Sequence, residues 1–136
     1  MHTRHLRTRA QFQALLSGPA VARTAHFALH RLPAGPAPSN PPADAGLFAP
    51  PDAVWLGAMT PKRWARRAVT RNAIRRQIYA VGESLAPPLS AGAHLVRLRS
   101  AFAPRLFPSA SSIALQRAVR TELQQLFAQL AAKAGA

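Results

Sequence analysis

An α+β sandwich, one sheet with helices packed against it, is the fold this sequence predicts, and three observations predict it. Residues 25–32 and 94–100 read as extended, with side chains set alternately on two faces at the period of a strand, and residues 54–60 form a third short strand-like run. Residues 66–81 and 112–133 instead repeat apolar positions at helical spacing. The order helix, strands, helix, strand, helix then makes the middle helix a crossover between strands of one sheet. With 136 residues, 49% of them apolar, the chain 1–136 suits one domain with a core of its own.

Taken in order, Thr8 is placed to cap a short helix over residues 9–17, with Phe12, Leu15 and Leu16 on one side and Gly18-Pro19 as its stop. Arg4, Arg7 and Arg9 precede or open it. Residues 20–23 and 25–32 read as extended. In the second of these, Phe27, Leu29 and Arg31 alternate with His26, Ala28, His30 and Leu32, so His26 and His30 share a face. Residues 33–53 are a different material, with seven of the thirteen prolines, and read as a surface loop inserted between two strands.

Residues 54–60, VWLGAMT, form the second long strand, in which Gly57 allows either a close backbone approach or a bulge. The helix that follows has Ile74, Ile78 and Val81 as its apolar side. Arg67 projects onto the same arc, so the helix bends or starts after Arg67; Gly82 and the Pro87-Pro88 pair are expected to end it. In residues 94–100, Leu95, Arg97 and Arg99 face one way and His94, Val96 and Leu98 the other. The last helix carries Leu115, Val119, Leu123, Leu126 and Leu130 as a core stripe.

The chemistry concentrates in KRWARRAVTRNAIRR, residues 62–76. It holds Lys62, Arg63, Arg66, Arg67, Arg71, Arg75 and Arg76, and no acid occurs between Asp52 and Glu83. Arg63, Arg67, Arg71 and Arg75 recur every fourth residue, a spacing at which like charges cost a helix roughly 0.2–0.5 kcal/mol per pair. A helix that carries such repulsion has an anion to relieve it. Arginine, outnumbering lysine here, favours phosphate, whose oxygens its planar fork binds in pairs. A net charge of +14 extends the attraction to the whole molecule and points to nucleic acid.

Other classes are disfavoured. The only acids are Asp44, Asp52, Glu83 and Glu122, with no two in helical reach of each other. Carboxylate-held metal ions or an acid–base pair would need such a cluster, so no catalytic residue and no metal ligand is assigned. The five histidines lack the partners of a zinc site, and without cysteine there is no thiolate chemistry. No apolar run approaches a membrane span, and the N-terminus lacks a secretory signal's apolar core, so a cytoplasmic location without membrane contact is expected. No helix-turn-helix partner or zipper accompanies the basic segment. Binding of nucleic acid, rather than cutting by the protein itself, is the expected activity.

With its elements placed, the chain resembles the protein subunit of bacterial ribonuclease P, from the opening HLRTRAQF to the last helix. The most specific likeness is KRWARRAVTRNAIRR: Lys62-Arg63 stands at the family's lysine pair, and Arg71-Asn72, Ile74, Arg75 and Arg76 lie in its arginine-rich motif. The resemblance implies a left-handed crossover through the basic helix. It also implies a monomer that binds the catalytic RNA of ribonuclease P and the 5′ leader of precursor tRNA, while the RNA does the magnesium-dependent cutting. The protein itself would bind no cofactor.

By the same resemblance, Lys62, Arg63, Arg66, Arg67, Arg71, Asn72, Arg75 and Arg76 face the catalytic RNA. Arg7, Phe12, Phe27, His30, Arg97 and Arg99 would line the leader cleft between the first helix and the sheet. A ribosomal protein or RNA chaperone shares the charge but lacks the Arg-Asn helix after a strand. This sequence departs from the family pattern at Ala73, where a second arginine is usual, at Tyr79-Ala80, and in the length of the proline-rich loop.

Overall fold

The protein is described by a computed structural model covering residues 3–33, 48, 53–86, 88–102 and 113–134. The elements run β1 (Thr3–His5), α1 (Arg9–Leu16), β2 (Ala20–Arg23), β3 (Phe27–Pro33), β4 (Val54–Met59), α2 (Ala68–Glu83), β5 (Gly92–Leu98) and α3 (Ile113–Ala134). The strands form one sheet in the order β1-β4-β5-β3-β2. β4 and β5 are parallel, from Val54↔Gly92 to Met59↔Arg97, with α2 as the connection between them. β3 runs antiparallel to both β5 and β2. The α+β architecture expected from the sequence is the one observed.

β1 was not expected. Its three residues pair in parallel with Val54, Trp55 and Leu56, and Leu6 N–H continues the edge by donating to Leu56 O at 3.0 Å. So short a strand has no periodicity to read, and it exists because β4 offers an edge to pair with. Just beyond the end of β1, the Tyr79 hydroxyl takes up a hydrogen bond with the Ala58 backbone. Its ring stacks on His5 at 3.9 Å, and His5 Nε2 lies 2.8 Å from Glu83 Oε1. The departure at Tyr79 therefore ties the N-terminal strand to α2.

The sheet separates two apolar layers. On one side α2 and α3 bury Ile74, Ile78, Val81, Val119, Leu123 and Leu126 against Phe27, Leu29, Leu56, Val96 and Leu98. On the other, α1 places Leu15 with Leu6, Trp55, Ala93 and Leu95. α1 starts as expected. Thr8 accepts from the Gln11 N–H at 3.2 Å, and the Gln11 side chain accepts from the Thr8 N–H at 3.1 Å, a capping box.

Two expectations are corrected here. Gly82 does not end α2, which runs on to Glu83; it is buried where helix and sheet meet, and a Cβ there would lie 2.6 Å from Leu56 Cδ2. His26 and His30 do not share a face either. His26 precedes β3 and bonds Glu122 of α3, while His30 bonds Gly18 O on the α1 side. Glu122 is a hub: its carboxylate accepts from Thr24 Oγ1 and His26 N, both at 2.6 Å, and meets His26 Nδ1 at 2.7 Å. The loop over residues 34–52 lies outside the described residues apart from Phe48, whose ring meets Trp55 edge-on at 6.1 Å.

Candidate nucleic-acid interface

α2 starts at Ala68, with Arg67 as its N-cap residue. No side chain caps that end and no acid lies in the first turn, so its positive end is presented directly among arginines. Lys62, Arg63, Arg66, Arg67, Asn72, Arg75 and Arg76 are exposed. The apolar side of α2 is buried against the sheet, which turns this basic surface outward. A helix N-terminus and guanidinium groups are both groups that can hold an anion.

The arginines are not equivalent. Arg71 is only partly exposed, and its Nη1 donates to Ala65 O at 3.0 Å and to Arg66 O at 2.8 Å. It thus holds the turn that presents Arg66 and Arg67. Arg75 donates to Asn72 Oδ1 at 3.2 Å and to Thr60 Oγ1 at 3.4 Å, so Asn72 orients a neighbouring guanidinium. The Arg63 guanidinium lies over the Trp64 ring at 5.2 Å. For Arg66, Arg67 and Arg76 the described residues include no such side-chain anchor, and they are free to reach a ligand.

The six residues assigned to the leader cleft do not form one site. Phe12 and His30 lie on the α1 side of the sheet, with Arg97 donating from Nε toward His30 Nε2 at 3.5 Å. His30 Nδ1–H donates to Gly18 O at 3.1 Å, which leaves Nε2 as the acceptor. Burial lowers the His30 pKa, and the charges of Arg97 and Arg23 add to the effect. Leu16, half-buried beside Phe12, belongs to the same apolar wall, although the sequence marked it only as helix packing.

Phe27 is the correction. It is 0% exposed on the opposite face, among the α3 side chains and 5.9 Å from the Phe102 ring. Strand alternation decides this, since Phe27 and His30 are an odd number of residues apart and must face opposite ways. Arg99 reaches the β2–β3 turn, donating to Thr24 O at 2.8 Å. Arg7 lies at the other end of α1, with Arg4 and Trp55, over the β1–β4 side of the sheet. Among the described residues no group of three or more histidines and acids is arranged to hold a metal ion, and no helix is long and apolar enough to cross a membrane.

A family model described as Ribonuclease P matches residues 1–131. The ribonuclease P protein component of Bordetella parapertussis is 34% identical over 122 residues, covering 90% of this chain and 87% of the relative. That of Bordetella avium is 33% identical over 122 residues, with the same coverage. Among solved structures, the ribonuclease P protein of Staphylococcus aureus superposes with a TM-score of 0.59 at 19% identity, over 90% of this chain and 91% of the other, a likeness of fold. By sequence and by fold, the chain belongs to the family of ribonuclease P protein components, and with it to the machinery of tRNA processing.

Proposed function

We propose that this chain is the RNA-binding subunit of a cytoplasmic ribonuclease P that removes the 5′ leader of precursor tRNA, a monomer within that complex. The α2 surface binds the catalytic RNA, and the cleft beside Phe12, His30 and Arg97 takes the leader. The observation that carries the reading is the outward surface of α2, where an uncapped helix N-terminus and exposed arginines meet with no acid in the first turn. Half-buried Phe12 and the anchored pair of His30 and Arg97 suit single-stranded RNA, which is recognised through stacking and hydrogen bonding of unpaired bases.

The chemistry of cleavage falls to the RNA. Of the chain's acids, Glu83 is engaged with His5, and Glu122 with Thr24 and His26, while Asp44 and Asp52 lie outside the described residues. Magnesium required for cutting would therefore be held by the RNA, with the protein supplying positive charge and position. The test is cleavage of a precursor tRNA by the cognate catalytic RNA at low magnesium, with and without the protein. Cleavage is expected to become efficient only when both are present. Cutting by protein freed of RNA by nuclease treatment would overturn the division of labour.

A further inference from the structure

β1 and the residue after it, Leu6, are gripped from both faces of the sheet. Their side chains alternate, so Arg4 and Leu6 turn toward α1 while His5 turns toward α2. On the α1 side Leu6 is 5% exposed and packs with Leu15 and Trp55. Gly57 of β4 makes room for it, since a Cβ there would lie 2.9 Å from Leu6 Cγ and 3.0 Å from Leu6 Cβ. Gly57 therefore serves a close approach, and the β4–β5 register passes it without a bulge.

On the opposite face the hold comes from α2. The His5 ring stacks on Tyr79 with the two planes 21° apart, and its Nε2 meets Glu83 Oε1. From β1 the chain passes directly into α1. Leu6 N–H donates to Leu56 O, and Gln11 Oε1 accepts from the N–H groups of Arg7 and Thr8. Gln11 adjoins Phe12, the aromatic wall of the leader cleft. The C-terminal half of α1 has an anchor of its own in buried Leu15, whereas its first turn is tied back to the segment that β1 delivers. Three residues at a sheet edge fray readily, because local opening there costs little free energy. Side-chain holds of modest strength then decide whether such a strand stays docked.

We propose that His5 is a positioning residue for the leader cleft, acting from the other face of the sheet. Stacked on Tyr79 and bonded to Glu83, it keeps β1 on β4. β1 in turn fixes Leu6 to Thr8, hence the first turn of α1 and the placing of Phe12 beside His30 and Arg97. The inference rests on the leader-cleft reading above and adds to it a residue that acts through α1 rather than through contact with RNA. Tyr79 is among the positions where this sequence departs from the family pattern, so the hold is a property of this chain's own residues.

The full-length protein is assembled with its cognate catalytic RNA, and affinities for a precursor tRNA and for the mature tRNA are measured. His5→Ala is expected to lower the precursor-to-mature ratio by about 2–10-fold, the factor one ring stack contributes to holding the strand. Affinity for the catalytic RNA should not change. His5→Phe keeps a ring on Tyr79 and should restore most of the ratio. Amide exchange at Leu6, read by NMR on the free protein, should quicken in His5→Ala and slow again in His5→Phe. A double-mutant cycle with Phe12→Ala separates positioning from general stability. Acting through Phe12, His5→Ala should lower the ratio little further in the Phe12→Ala background, whereas independent effects would add. Suppose that Phe12→Ala lowers the ratio while His5→Ala leaves it unchanged, adds to it in full, or weakens catalytic-RNA binding instead. The positioning role is then refuted and the leader cleft stands. If Phe12→Ala itself leaves the ratio unchanged, both fail.

Discussion

Acidification should loosen this protein through one buried side chain, His94. Its ring is fully buried in the sheet, Nδ1–H donates to Trp55 O at 3.1 Å, and among the described residues Nε2 has no hydrogen-bond partner. Burial pushes its pKa down to about 4, and the Arg31 charge nearby works in the same direction. In the unfolded chain the ring would titrate near 6.5. Since the folded value is the lower, the unfolded state binds the proton first. Stability is therefore full above about pH 6.5 and is lost as pH falls toward about 4. From these two values the loss between about pH 7 and about pH 5 is roughly 2 kcal/mol.

Urea unfolding at a series of pH values measures this loss directly. His94→Asn supplies a comparison in which an amide N–H can still donate to Trp55 O but nothing titrates. The variant is expected to lose roughly 2 kcal/mol less than the parent over the same interval, whatever its stability at neutral pH. His30, also lowered by burial, contributes in the same sense in both proteins and cancels in the comparison. Equal pH dependence in the two proteins would refute the reasoning, because it would mean that His94 takes up its proton without unfolding.

Other substitutions separate structure from binding. Arg76→Ala removes an exposed charge, so melting temperature should hold while the salt slope for binding the catalytic RNA becomes shallower by about 0.7–0.9. Arg71→Ala also breaks the bonds to Ala65 O and Arg66 O, and should lower stability by about 1–3 kcal/mol by denaturant titration as well as weaken RNA binding. Phe12→Ala should reduce the preference for precursor over mature tRNA by roughly 1–3 kcal/mol, read as a ratio of affinities, if a leader base stacks there. Phe27→Ala, a core truncation, should instead cost about 3–5 kcal/mol of folding stability and leave that ratio unchanged in the folded fraction.

Much of the fold was legible because its signals are local. The Thr8 cap, the leucine stripe of α3, the apolar side of α2 and the alternation in β3 and β5 each depend on residues a few positions apart, and each element formed where those signals lie. The concentration of arginine without acid in 62–76 was equally plain, as charge composition needs no coordinates. What the sequence could not supply were relations across the sheet. β1 has too few residues for a period and exists only as a partner for β4. Gly82, a stop signal by local rules, is required by the approach of Leu56 from another element.

The same limit governs the candidate sites. Nothing local distinguishes Arg71, which braces the turn before α2, from Arg76, for which the described residues include no such contact; the difference is made by where two carbonyl groups point. Phe27 and His30 could have been separated by strand parity alone, but which face α1 covers and which α2 and α3 cover is settled only by packing. The sequence by itself determined that this chain is an α+β protein with an acid-free arginine segment, because helical period, strand period and charge are properties of neighbouring residues. The tertiary structure alone decided that Arg7 stands with Arg4 and Trp55 rather than with His30, because only the strand order β1-β4-β5-β3-β2 sets the distances between residues far apart in the chain.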